Sequence, residues 1–456
     1  MTLLSAHTTL QQHKHCADQS KTNTHTHSKR SLKLPTIAAL LLTSICAQPL
    51  MAADDNYKLG LVTFLSGGAA GPFGVPAKNA ADLLIETINA GQLPAPYNIA
   101  GINGRTITPV YVDEAGGATK QTSEYRNLVE RQGVNAVIGY ISSGDCLAVP
   151  AVAEQLKTLT VLFDCGTPRV FEENTFKYVF RTGPTATMDN VAAAHYIKSE
   201  MPDLKSVSGI NQNYSFGHES WADFSHALDF LKPGVKVSTK QFPKIYAGQY
   251  GAEISALMVR SAKVIHSSFW GGDMEAFLLQ GSARGLFEEQ TALLTTGESA
   301  MYRLTDQIPA GTILGARGPF GVYAPDNALN RWFSTAYTKR FGTPPTYPAY
   351  KMVQGILGLK LATEKAATTI GSQPKTEAVA AAFEYLEYEG PGGKVSMNLG
   401  KGHQASMEMV YGRFALKNGK PSVTNIKRYP SECVNPPAGT ASIEWIKAGM
   451  PGAKCP

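Results

Sequence analysis

NAVIGYISSGDCLAVPAVAEQLKTLTVLFD, residues 135–164, holds one full cycle of the pattern that decides the fold. An apolar, β-branched run (135–142) stops at Ser142-Ser143-Gly144-Asp145, a helical spacing follows over 147–157, and a second apolar run fills 159–164. Working outward, 57–66 (YKLGLVTFLS) is a buried strand with a glycine-rich stop. Residues 76–90 carry Ala80, Ala81, Leu84, Ile85 and Ile88 at helical spacing. A strand at 105–113 and a helix at 119–132 complete the first run. After RTGP (181–184) the order repeats, with helices at 187–200, 218–231, 250–260 and 273–284 between strands at 205–211, 235–242, 262–270 and 290–296. Such alternation predicts an α/β fold of two doubly wound units, each a parallel sheet with helices on both faces. The remainder differs: helices are expected at 326–341, 346–367 and 376–387, then alternating strands over 393–429 with turns at Gly392-Gly393 and Asn418-Gly419.

Residues 34–53 (LPTIAALLLTSICAQPLMAA) follow Lys29, Arg30 and Lys33 and end on Ala52 and Ala53. A charged lead, a short apolar run and small residues at the end make an export signal cleaved near Ala52/Ala53. A membrane helix would need about 20 apolar residues. Ile45 is too bulky for a lipoprotein signal before Cys46. The polar lead-in holds five of the chain's ten histidines (His7, His13, His15, His25, His27), which composition assigns to a long leader rather than a metal tail. Residues 1–53 are therefore set apart from the fold.

Five of the 42 basic residues and one of the 36 acidic ones precede residue 54, so the exported part is near +2. That balance gives no case for nucleic acid or an anionic membrane. Some 400 residues exceed one ordinary core, and two domains are expected. Cys146, Cys165, Cys433 and Cys455 remain after processing, an even number suited to two disulfides in an oxidising compartment. Cys433 and Cys455 share a proline-rich tail and are expected to pair, leaving Cys146 for Cys165. No Cys-x-x-Cys spacing supports zinc, and no cofactor or metal is expected.

Ligands of open parallel sheets sit at the carboxyl ends of the strands. Those ends are Ser66 to Gly74, with Phe73; Ser142 to Asp145, with Ser143; Cys165-Gly166-Thr167; Asn213 to Gly217, with Phe216; Trp270-Gly271-Gly272-Asp273; and Gly297-Glu298-Ser299. Ser143, Thr167 and free amides can hold a carboxylate, Glu298 can pair with an ammonium, and Phe73, Phe216 and Trp270 can wall in an apolar body. Ser142, Ser143 and Thr167 serve equally well as helix caps, and Phe73 and Phe216 as core. Gly67-Gly68-Ala69-Ala70-Gly71 lacks the GxGxxG spacing, and neither GxSxG nor HExxH occurs. His195, His218, His226 and His266 lack a matched acid or nucleophile.

The succession KLGLVTFLSGGAAGPFG (58–74), AVIGYISSGD (136–145), LFDCGTP (162–168), FRTGP (180–184), NQNYSFGHES (211–220), SSFWGGDMEAFL (267–278), TTGESA (295–300) and GKGHQA (400–405) resembles the periplasmic solute-binding proteins of ABC importers. The type is the branched-chain amino acid (Leu/Ile/Val) one, and the likeness covers roughly 57–430. It implies two Rossmann-like lobes joined by a three-strand hinge, the type I periplasmic binding protein fold: lobe one at 54–183 plus 317–388, lobe two at 184–316 plus 389–430, and a tail at 431–456. By position it implies a ligand's α-carboxylate at Ser143 and Thr167, its ammonium at Glu298, and aromatic walls at Phe73, Phe216 and Trp270. Ser142, Cys165 and Gly166 would complete the site. Cys165 and Asp145 depart from the usual small neighbours, and Phe216 and Trp270 replace common tyrosines, which opens the site to larger, aromatic or amide-type ligands. The implied role is a monomeric, non-enzymatic periplasmic protein delivering a small molecule to an inner-membrane ABC permease. A sensor of the same fold and a secreted α/β enzyme are the alternatives.

Overall fold

The computed structural model describes residues 56–370 and 373–456. The expected export signal and histidine-rich lead lie outside them. Strands β1 (Asn56–Thr63), β2 (Thr106–Asp113), β3 (Ala136–Gly139), β4 (Thr160–Leu162) and β5 (Val179–Arg181) form the first parallel run. A second consists of β6 (Ser206–Ile210), β7 (Lys236–Gln241), β8 (Val264–Ser267), β9 (Thr291–Leu294) and β10 (Ile313–Gly315). Then come β11 (Glu387–Gly390), β12 (Gly393–Leu399), β13 (Gln404–Ser406), β14 (Met409–Lys417) and β15 (Lys420–Tyr429). One sheet has the order β11-β12-β13-β5-β4-β3-β1-β2 and the other β15-β14-β10-β9-β8-β6-β7. The fold is thus the mixed α/β one of two parallel-dominant sheets that the alternation predicted.

Local sequence accounts for the elements. In β1, Leu59 to Thr63 are all buried, as befits a parallel strand covered on both faces. Helix Val75–Asn89 turns Ala77, Ala80, Ala81, Leu84, Ile85 and Ile88 inward and carries Pro76 in its first turn, where a missing N–H costs nothing. The long helix Tyr347–Ile370 is buried around most of its girth and packs on β3, β4 and β11.

Some boundaries differ from expectation. The helix foreseen at 147–157 is Ser143–Gln155, which draws Ser143 into its first turn. β5 and β10, three residues each, lack the longer apolar run that marks the equally short β4. The segment 376–387 stays helical only to Phe383, and Tyr385 at φ 55° turns the chain into β11. Residues 389–430 were assigned together to lobe two, yet β12 and β13 belong to the first sheet, because β13 pairs with β5 through Gln404 and Arg181. Only β14 and β15 join the second.

Both expected disulfides form, Cys146–Cys165 and Cys433–Cys455. The second closes a tail with short helices Ser431–Val434 and Ser442–Lys447, which pack on helices Ala186–Glu200 and Ser215–Leu231 and bury Trp445. Among the described residues no helix is long and apolar enough to cross a membrane.

Candidate ligand-binding site

Carboxyl ends of parallel strands from both sheets converge on one small cavity. It is lined by Phe73, Ile141, Asp164, Tyr214, Phe216, Trp270, Arg317 and Tyr347. Phe73 follows β1, Ile141 follows β3 and Asp164 follows β4; Tyr214 and Phe216 follow β6, Trp270 follows β8 and Arg317 follows β10. The cavity holds about 10 Å³, room for a water molecule at most. The walls therefore rest on one another, with no ligand-sized space between them.

The walls are aromatic. Trp270 lies 5.6 Å from Phe64 and 5.7 Å from Phe73, ring centre to ring centre. Phe73 meets Tyr347 edge-on at 5.4 Å. The indole Nε1 of Trp270 donates to the Tyr214 hydroxyl at 2.7 Å, which fixes both rings. Phe216 carries the Arg317 guanidinium 5.0 Å above its face. Gly166 makes that placement possible, since a Cβ there would stand 2.4 Å from the Phe216 ring.

The floor is charged and buried. Arg317 pairs with Asp189 at 3.0 Å and with Asp164 at 3.3 Å, and Lys351 also pairs with Asp164. Arg317 sits in the left-handed region at φ 49°, the kind of backbone strain that a framework holds at functional sites. Burial pushes the Asp189 carboxyl up to about 6 against the pull of Arg317 and Lys351. Burial and the neighbouring Arg317 bring the Lys351 ammonium down to about 7, against Asp164 and Asp189. The Arg317 guanidinium loses stability to burial, but Asp189 and Asp164 outweigh that and hold it above its usual value. The Asp164 Oδ2 atom and the Tyr347 hydroxyl are buried without a hydrogen-bond partner.

Of the residues foreseen from sequence, Phe73, Phe216 and Trp270 line the cavity and Gly166 backs it. The others face elsewhere. Ser143 Oγ accepts from the Thr167 amide at 3.2 Å. Thr167 donates its hydroxyl to Glu219 Oε1 at 3.0 Å, across from one sheet's loops to the other's helix. Burial pushes Glu219 up to about 6 despite that hydroxyl. The Ser142 amide donates to Glu114 at 2.8 Å, and Cys165 is held in its disulfide.

Glu298 is fully buried one layer behind the cavity, its Oε2 accepting from the Tyr347 amide at 2.8 Å at the start of helix Tyr347–Ile370. Burial raises its carboxyl to about 8, while the Tyr347 and Val322 amides pull it down. An acid raised in the fold adds stability below its unfolded value and loses it as pH rises through the folded one. Wild type should therefore lose stability relative to Glu298→Gln between about pH 4.5 and 8, read from urea midpoints of both across that range. Parallel midpoints would show that Glu298 carries no such shift.

Sequence reasoning missed Ile141, Asp164, Tyr214, Arg317 and Tyr347 as cavity residues. Asp164 and Tyr214 stand inside LFDCGTP and NQNYSFGHES, one or two places from residues that were named. Arg317 follows a three-residue strand and had no periodic signal to mark it.

A family model described as periplasmic binding protein matches residues 56–420. The chain belongs to that family. Membership agrees with the two-sheet architecture and places the protein outside the cytoplasm. Comparison with curated protein sequences gives no significant match. Among solved structures, a solute-binding protein of an ABC transporter from Rhodopseudomonas palustris BisB5, in complex with 3,4-dihydroxybenzoic acid, is 19% identical with a TM-score of 0.70, covering 83% of this chain and 98% of that one. A second from R. palustris, in complex with benzoate, is 18% identical with a TM-score of 0.72, covering 84% and 99%. The branched-chain amino acid transporter substrate-binding protein of Streptococcus pneumoniae, in complex with isoleucine, is 18% identical with a TM-score of 0.67, covering 82% and 99%. At such identities the likeness is one of fold.

Proposed function

We propose that the protein is the extracytoplasmic substrate-binding component of an ABC importer, closing two lobes on an amino acid or related small carboxylate with an aromatic or large apolar body. Each sheet with its flanking helices is one lobe, β11 to β13 going with the first. The observation that carries the reading is the aromatic box over a buried, charge-balanced floor, with two polar atoms of the cavity lining unsatisfied, Asp164 Oδ2 and the Tyr347 hydroxyl. A buried polar group left unpaired costs about 1–3 kcal/mol, so this pair supplies a standing demand for a partner. Asp164 Oδ2 suits an ammonium, the Tyr347 and Tyr214 hydroxyls suit a carboxylate, and the rings suit the body between them. The benzoates and isoleucine held by similarly folded proteins fit the same division.

Capture and release, rather than turnover, is the action, with the closed form presented to an inner-membrane permease. Binding shifts the balance between open and closed forms by its differential affinity. The exported chain begins after cleavage near Ala52/Ala53 and acts as a monomer. Thermal unfolding with phenylalanine, leucine, benzoate and benzamide tests the ligand class. A ligand at a hundred times its dissociation constant stabilises by about 2.7 kcal/mol. Stabilisation by phenylalanine or leucine is expected, benzoate alone would move the assignment to aromatic acids, and no shift with any of them would overturn it.

A further inference from the structure

A larger cavity, about 220 Å³, lies apart from the aromatic box, between the segments that pass from one sheet to the other and the disulfide-closed tail. Arg181, Thr185 and Gln404 come from those passing segments, Phe171 from the short helix Arg169–Glu172 after β4, and Pro436 and Ser442 from the tail. Arg181 ends β5 and is almost wholly buried. Its Nε donates to Gln404 Oε1, and its Nη1 donates to the Cys165 and Thr167 carbonyls. Those acceptors are all neutral. Among the described residues its Nη2 makes no hydrogen bond and no carboxylate forms an ion pair with the guanidinium.

A buried cation with no carboxylate in contact is rare, because burial penalises charge unless something pairs with it; Glu172 and Glu219 act on Arg181 only without contact. Burial brings Arg181 down to about 9. The nearest wall acid, Glu172, has Oε1 occupied by the amide and hydroxyl of Ser442. Phe171 lies under the guanidinium at 5.4 Å, and Met188, Leu399 and Pro436 add apolar surface. An engineered apolar cavity of about 150 Å³ is known to admit benzene. The space here is enough for a ring or a short aliphatic body.

We propose that this cavity is a second binding site, taking a small organic monocarboxylate whose anionic end meets Arg181 Nη2 and whose apolar body lies among Phe171, Met188, Leu399 and Pro436. The proposal stands independently of the aromatic box. An occupant would touch two of the chain passages between the sheets together with the tail, so its binding and that of the box ligand would be reciprocally coupled.

Fluorine NMR of the whole exported chain with 4-fluorobenzoate tests the site. A bound resonance is expected that Leu399→Trp removes by filling the cavity and that Trp270→Ala leaves in place. Arg181→Gln should weaken the same resonance at least about tenfold, the loss of one charge-assisted hydrogen bond. Leu399→Trp replaces no group that Arg181 hydrogen-bonds, so the test survives if the arginine variant fails to fold. The absence of any bound resonance sensitive to Leu399→Trp would overturn the proposal. A separate bound resonance that Trp270→Ala removes and Leu399→Trp leaves would belong to the aromatic box, so failure of the box assignment and failure of this one are read apart.

Discussion

Arg317→Met is expected to cost about 3–5 kcal/mol of stability and to abolish ligand capture, the largest effect of any single change in the site. Arg317 is the shared partner of Asp164 and Asp189, and all three are buried. Removing it leaves two carboxylates in a low-dielectric interior with only Lys351 against Asp164. Such pairs add little when intact, but breaking one strands a charge. Among the described residues Asp189 has no other ion pair, so it bears most of the penalty. Adding Asp189→Asn to the methionine variant should therefore return a sizeable part of the loss. Urea unfolding of the single and double variants measures both terms. A single-variant loss under about 1 kcal/mol would mean that water or rearrangement already screens the cluster.

Trp270→Ala should weaken the ligand found by thermal unfolding by about 2–4 kcal/mol, some 30- to 1,000-fold. Its ring touches Phe64 and Phe73 from the opposite sheet and holds Tyr214 in place through Nε1. Those cross-sheet contacts exist only while the walls are together, so they contribute to closure more than to the folding of either half. Calorimetry and a melting curve on the same preparation separate the two. Unchanged affinity with a collapsed melting temperature would make Trp270 ordinary core.

The fold was legible because long buried strands and amphipathic helices each advertise a period. Leu59 to Thr63 in β1 and the Ala80–Ile88 stripe are examples. β5 and β10 span three residues without the longer apolar run that marks the equally short β4, so the places of Arg181 in β5 and of Arg317 after β10 went unseen. The hairpin of β11 and β12 was divided between a helix and the wrong sheet for a related reason: alternation shows that strands pair, not which sheet they extend.

In the site, side chains too large to satisfy locally were readable, and Phe73, Phe216 and Trp270 reached the cavity. Small hydroxyls were ambiguous because a serine or threonine can satisfy a neighbouring amide as readily as a ligand. Ser143 takes the Thr167 amide, and Thr167 reaches Glu219. Glu298 was marked by its place at the end of a buried strand, which gives depth but not direction, and its carboxylate points to the start of a helix. The charges that line the cavity, Asp164 and Arg317, meet across 153 positions of chain, a pairing that no local pattern encodes.

The Gly272 amide donates to the Gly68 carbonyl at 2.9 Å, joining the loop after β1 to the loop after β8. A Cβ on Gly272 would stand 2.8 Å from that oxygen, so the two edges meet as bare main chain. A seam of this kind owes nothing to what lies behind it. Any cargo small enough to let the seam form leaves the same outer silhouette, and a docking machine that reads the silhouette is told that the vessel is shut, not what it carries.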